Sequence, residues 1–174
     1  MNMAQARIAR FEKVSFGQFE QGWHKAMDSD MSEEAVRAIY DAIKLPRRAT
    51  AASAGYDFCL PSDLSLTAGE SALIPTGIRV KMDPSWVLCC FPRSGLGFKY
   101  RLQLDNTVGI IDADYYGSDN EGHIFTKITC DAKSDKVLEL AAGDAFMQAV
   151  FLPYGLTEDD DVADIRNGGF GSTD

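Results

Sequence analysis

The chain has 174 residues, which suits one domain, with or without a short appendage, and is long enough to bury a real core. Its 45% hydrophobic and 25% charged residues are ordinary for a globular protein, and no run approaches the ~18 to 20 apolar residues of a membrane span. The net charge of −9 argues against a general nucleic-acid or membrane-surface binder, yet a few converging Arg, Ser and backbone N–H groups could still hold a small phosphorylated ligand.

No apolar leader segment follows Met1, so a cytoplasmic protein is expected. Residues 6–14 read as a first strand through Ile8, Phe11 and Val14. Residues 16–27 are aromatic-rich (Phe16, Phe19, Trp23) and show no decisive period. A helix is then predicted from Asp30 as cap and Glu33 three residues on. Its stripe is Val36, Ile39, Tyr40 and Ile43, and Pro46 ends it. That stripe would bind a partner or pack on its own domain, the commoner fate.

From Arg47 the texture changes to short strands and turns. Candidates are residues 54–60, 71–82, 86–91, 124–130, 136–140 and 145–152, punctuated by Gly, Pro or Asp. Many short strands at even spacing predict an all-β sandwich or barrel, with which a jelly roll is compatible. Four cysteines lie mostly in strand-like runs, and none forms a C-x-x-C pair. Cys89 and Cys90, being adjacent, should face opposite sides of one strand as core residues. His24 and His123 are too few and too scattered for a metal cluster; a bound metal would be a hard cation held by oxygen ligands.

The stretch 104–117 concentrates chemistry. It passes from polar turn residues through Ile110-Ile111 to Asp112, Asp114, two tyrosines and Gly117. A carboxylate held against an apolar wall is a candidate general base, because restricted solvation keeps it basic; the alternative is a solvated, Asp-rich turn. Three further stretches share this character. Asp57 sits in an apolar strand, or faces water from an edge. Arg93, Ser94 and Gly95 stand at a glycine-rich turn able to cradle phosphate. Gly143-Asp144 opens a strand that carries Gln148. Residues 158–161 are an acidic run. Beyond them Arg166, Phe170, Ser172 and Thr173 punctuate a Gly-rich tail, expected to be flexible.

In this order the set resembles the five motifs of the trimeric dUTPases. The first matches at Ala54-Gly55-Tyr56-Asp57 and the second at Pro92-Arg93-Ser94-Gly95-Leu96. The third matches at Asn106, at Gly109-Ile110-Ile111-Asp112, and through Asp114-Tyr115 to Gly117. The fourth matches at Gly143-Asp144 and Gln148, and the fifth at Gly168-Gly169-Phe170-Gly171-Ser172-Thr173.

The resemblance covers roughly residue 45 to the end. It implies a jelly-roll-like β barrel over residues 1–164, with a helical insertion at about 18–46, one helix being expected there. Residues 165–174 would form a C-terminal lid. It further implies a homotrimer whose active sites are shared between chains. The activity implied is hydrolysis of dUTP to dUMP and pyrophosphate with Mg²⁺, held mainly by substrate phosphates and water. That reaction limits uracil in DNA and supplies dUMP for thymidylate synthesis.

By matching positions, Asp112 would activate the attacking water and Asp57 would support the site electrostatically. Asn106, Gly109 and Ile110 would belong to a β-hairpin that reads uracil, and Tyr115 would pack on the deoxyribose. Arg93, Ser94, Gly95 and Gln148 would hold phosphates. Phe170 and Gly171 would close over the base, while Arg166, Ser172 and Thr173 would hold the terminal phosphate.

The chain departs from the family pattern in several places. Ala145-Phe146 replaces the common Arg-Ile, Gly97 stands where Ala is usual, Arg166 lies one residue closer to Phe170, and Asp174 ends the chain in place of Gly. Two other readings compete: a dCTP deaminase of the same superfamily, and a nucleotide-gated regulatory protein that binds a partner through the insertion.

Overall fold

The computed structural model describes residues 6–27, 30–131 and 135–164. In chain order, β1 (Ala9–Lys13) leads into two helices, α1 (Phe16–Met27) and α2 (Glu33–Ala42). Next come β2 (Arg47–Arg48), β3 (Tyr56–Cys59), β4 (Leu64–Leu66), β5 (Ser71–Pro75), β6 (Ile78–Met82) and β7 (Trp86–Pro92). A short helix, α3 (Ser94–Tyr100), separates these from β8 (Gln103–Leu104) and β9 (Gly109–Ile111). A 3-10 helix (Ala113–Gly117) precedes β10 (Phe125–Thr129), β11 (Leu138–Leu140) and β12 (Ala145–Pro153). The architecture is the mostly-β, jelly-roll-like fold expected.

The largest sheet runs β2-β3-β12-β7-β9, and a three-stranded sheet runs β5-β10-β8; β1 pairs with β6, and β11 with β4. The described strand pairs are antiparallel. Strand β12 pairs β3 on one side and β7 on the other. That central place explains its run of apolar residues, with Phe146, Met147 and Ala149 fully buried. Cys89 and Cys90 are buried neighbours on β7, and all four cysteines are free. The expected strand over 71–82 is two strands, because Gly77 takes φ +71°. Its N–H leaves the ladder and donates to His123 Nε2 at 2.9 Å.

The segment between β1 and β2 holds two helices where one was expected. In α1 the apolar residues Phe16, Phe19, Trp23 and Met27 fall on one stripe, although Gly17 and Gly22 dilute its helical signal. The cap of α2 is Ser32, not Asp30: its Oγ accepts from Ala35 N–H at 3.3 Å. Val14, Phe19, Trp23 and Val36 form a small second core, and Ile43 packs against both it and the main one. Tyr40 Oη donates to Val14 C=O at 2.7 Å. The stripe of α2 therefore packs on its own chain.

His123 sits at the seam between helices and barrel, fully buried, its ring centroid 4.2 Å from that of Phe125. Burial pushes its pKa down from 6.5 to about 4. The unfolded imidazole keeps its ordinary value near 6.5, so between the two values the unfolded chain binds more protons. Stability is fully present above about pH 6.5 and is lost as pH falls toward about 4, by up to about 3 kcal/mol. Urea denaturation at about pH 7.5 and about pH 5 checks this: a pH-independent His123→Phe variant against a pH-dependent parent is the expected contrast.

Candidate active site

The site begins where the chain leaves β8. Leu104 is buried, and Asp105 N–H donates to Lys127 C=O at 3.0 Å. The Asp105 carboxylate accepts from the Thr129 hydroxyl and pairs with Lys127 Nζ at 3.2 Å, which ties the turn to β10. Thr107 takes φ +63°, an uncommon conformation for a β-branched residue, and its N–H donates to Leu104 C=O at 2.8 Å. The chain reverses there and enters β9.

A hairpin was expected at this point, but β8 pairs with β10 and β9 pairs with β7. The excursion is a turn that carries the chain from one sheet to another. Gly109 lies over Cys90, and a methyl group at position 109 would stand 3.1 Å from Cys90 Cβ. Close approach of the Cys90 side chain thus accounts for the glycine. Cys90 is no reactive thiol, since burial pushes its pKa up to about 12.

Asn106, Val108, Gly109 and Ile110 of this turn border a cavity of about 1000 Å³. Phe125 and Lys127 form another part of its lining, and Gln21, Gly22 and Lys25 of α1 another. Ile110 is 55% exposed, an apolar side chain held at the rim. Asp112 comes after buried Ile111 and does not itself border the cavity; it is half-buried, in extended backbone at the N-terminus of the 3-10 helix, which its side chain does not cap.

Tyr115 lies deeper in the fold than Ile110. It is 5% exposed and does not border the cavity. Its hydroxyl donates to His123 C=O at 2.8 Å and accepts from Asn120 Nδ2 at 2.7 Å. Two hydrogen bonds and a core position fix the orientation of this ring.

Asp57, Arg93 and Gln148 form a second group. Asp57 stands opposite Gln148 across β3 and β12, and Gln148 stands opposite Phe91 across β12 and β7. Arg93 Nε lies 3.4 Å from Asp57 Oδ1, a partly exposed pair that orients more than it stabilises. A methyl group at Gly55 would stand 2.6 Å from Gln148 Oε1, so Gly55 leaves that amide its room. Arg93, Ser94 and Gly95 are exposed where β7 gives way to α3, a short helix where a turn was expected. The Cys59 thiol is raised mainly by burial, and Lys44, Asp57, Arg93 and Asp144 all lie close enough to act on it. Phe146, in place of the common Ile, is wholly core.

The structure gathers Asn106, Gly109 and Ile110 at one cavity and Asp57, Arg93 and Gln148 in another group. The two lie on opposite sides of β7, which pairs with β9 at one edge and β12 at the other. Residues 166 and 170–173 lie outside the described residues. Sequence reasoning missed Gln21, Lys25, Asp105 and Lys127. For the α1 pair, helical spacing from Gln18 was the available signal; for Asp105 and Lys127 the contact exists only in the fold. Among the described residues no group of three or more His, Cys, Asp or Glu side chains could hold a metal ion.

A family model described as dUTPase matches residues 41–174. The deoxyuridine 5'-triphosphate nucleotidohydrolase of Lactococcus lactis subsp. lactis is 40% identical over 134 residues, covering 75% of this chain and 88% of that protein. The protein of the same name from Hahella chejuensis is 36% identical over 145 residues, covering 79% of this chain and 91% of its own. Among solved structures, dUTPase from Streptococcus mutans aligns with a TM-score of 0.62 at 34% identity, covering 85% of this chain and 98% of that one. A mutant dUTPase from phage phi11 of S. aureus, described with a structural Mg(II) ion, aligns at 0.61 but only 20% identity, which speaks to the fold alone.

Proposed function

The chain belongs to the dUTPase family of enzymes, and we propose that it hydrolyses dUTP to dUMP and pyrophosphate with Mg²⁺, in a homotrimer whose sites are shared between copies. The observation that carries this reading is the cavity built on the turn before β9, with half-buried Asp112 directly after that strand. Backbone N–H and C=O groups of Asn106 through Ile110 read the uracil edge, and the close fit of Gly109 on Cys90 leaves little give for a thymine methyl.

Asp112 takes a proton from water as the water oxygen bonds to the α-phosphorus. The bond from that phosphorus to the bridging oxygen breaks, and pyrophosphate leaves. Arg93, Ser94, Gly95 and Gln148 of a neighbouring copy hold the phosphates, with Asp57 aiming Arg93. The cation would be held mainly by triphosphate oxygens and water, which can complete its octahedron. When bound, Mg²⁺ neutralises charge that builds on the phosphates. Tyr115, fixed through its hydroxyl, braces the wall beside the sugar from behind. Arg166, Phe170, Gly171, Ser172 and Thr173 close the site over base and terminal phosphate. The deaminase and partner-gated readings are not favoured; the stripe of α2, which a partner would need, is spent on this chain's own second core.

The test is pyrophosphate release from dUTP, dTTP, dCTP and UTP side by side with Mg²⁺. The value of kcat/KM for dUTP should exceed each of the others by at least ~10². A comparable rate on any of the other three would sink the assignment of substrate.

A further inference from the structure

Helix α1 is a wall of the cavity. Gln18, Gln21, Gly22 and Lys25 all border it, spaced i, i+3, i+4 and i+7, so one face of the helix overlooks the turn that carries Asn106 and Gly109. The region matched by the family model begins at residue 41, so this wall is an addition to the matched part of the chain. It is also firmly seated. Phe19 and Trp23 are buried in the second core, and a methyl group at Gly22 would stand 2.7 Å from Phe125 Cζ and 2.9 Å from His123 Cε1.

Two cations border the cavity. Lys127 is tied to Asp105 at 3.2 Å. Lys25 is exposed, and among the described residues it forms no ion pair. The other charged side chains at the cavity are Asp105 and Asp119, on a chain whose net charge is −9. A volume of about 1000 Å³ exceeds what one pyrimidine ring fills, so sugar and phosphate have room under α1.

Resting on the reading that this cavity takes a deoxyuridine nucleotide, we propose that Lys25 is a phosphate-binding residue of the site, supplied by the inserted helix. Its ammonium on a flexible stem reaches the phosphate nearest the sugar and makes a charge-assisted hydrogen bond to it. Local positive charge also draws a polyanion to an otherwise acidic surface. The insertion thus adds substrate affinity to a fold whose matched part starts after it.

Calorimetric binding of deoxyuridine and of α,β-imido-dUTP with Mg²⁺ to wild type and to Lys25→Gln tests this. The variant should bind the triphosphate analogue about tenfold more weakly and deoxyuridine as well as wild type does. Its melting temperature should match wild type, since Lys25 is exposed. Unchanged affinity for the analogue overturns the inference, and so does an equal loss for deoxyuridine, which would mean a loosened wall instead of a lost charge. Wild-type protein that binds neither ligand overturns the reading of the cavity and this inference with it. Wild-type binding beside an unaffected Lys25→Gln overturns the inference alone.

Discussion

Asp112→Asn is expected to lower turnover of dUTP by ~10² to 10⁴ while leaving the nucleotide bound. The amide keeps the size and shape of the carboxylate but has no basic oxygen to take a proton from the attacking water. Asp112 does not cap the 3-10 helix that follows it, so the substitution removes no cap and the fold should stand. Its neighbours favour such a role: Ile111 is buried, Ile110 sits at the cavity rim, and the backbone is pinned by the pairing of β9 with β7. Single-turnover pyrophosphate release, beside binding of α,β-imido-dUTP, separates chemistry from affinity. A variant that turns over near the wild-type rate would remove Asp112 from the role of base.

Why the sequence carried some of this and not the rest is a matter of range. Long strands were legible because burial writes itself along the chain. The apolar run of β12 follows from strands on both of its sides. The two- and three-residue strands β2, β8 and β9 carry too few side chains to show a period, yet β8 and β9 frame the turn of the site. Helix α1 was obscured by two glycines, one of which is there for contact with Phe125 and His123, about a hundred positions on in the chain.

Tyr115 shows the same limit within the site. Its place in the third motif says that a ring belongs there, but the chain alone does not show that His123 and Asn120 fix its hydroxyl in the core. Lys25 shows it again: helical spacing puts it on one face with Gln18 and Gln21, but only the fold shows that this face meets the cavity. The chemistry-bearing residues were legible as types in an order; their grouping into two sets depended on sheet pairing.

That grouping yields the sharpest expectation. Asn106, Gly109, Ile110 and Asp112 stand on the β9 side of β7, and Asp57, Arg93 and Gln148 on the β12 side. If each site in the trimer combines the first set of one copy with the second set of its neighbour, two differently damaged chains can repair each other. Asp112→Asn and Arg93→Ala should each be nearly inactive alone, the first for want of a base. The second loses a donor to the phosphates, a deficit that costs ~10² to 10³ in comparable sites. Unfolding the two together in equal amounts and refolding them mixes the copies. About one site in four then draws its base-bearing set from an Arg93→Ala chain and its phosphate-bearing set from an Asp112→Asn chain, by random assortment around a closed ring. Those sites are intact, so roughly a quarter of wild-type activity should return. A site contained in one chain would contain one lesion in every copy, and mixing would restore nothing. Refolding each variant alone controls for the procedure, and light scattering confirms that the mixture holds trimers. Recovery near a quarter assigns the two sets to different copies; a mixture as inactive as its parents would place both in a single chain and refute the shared site.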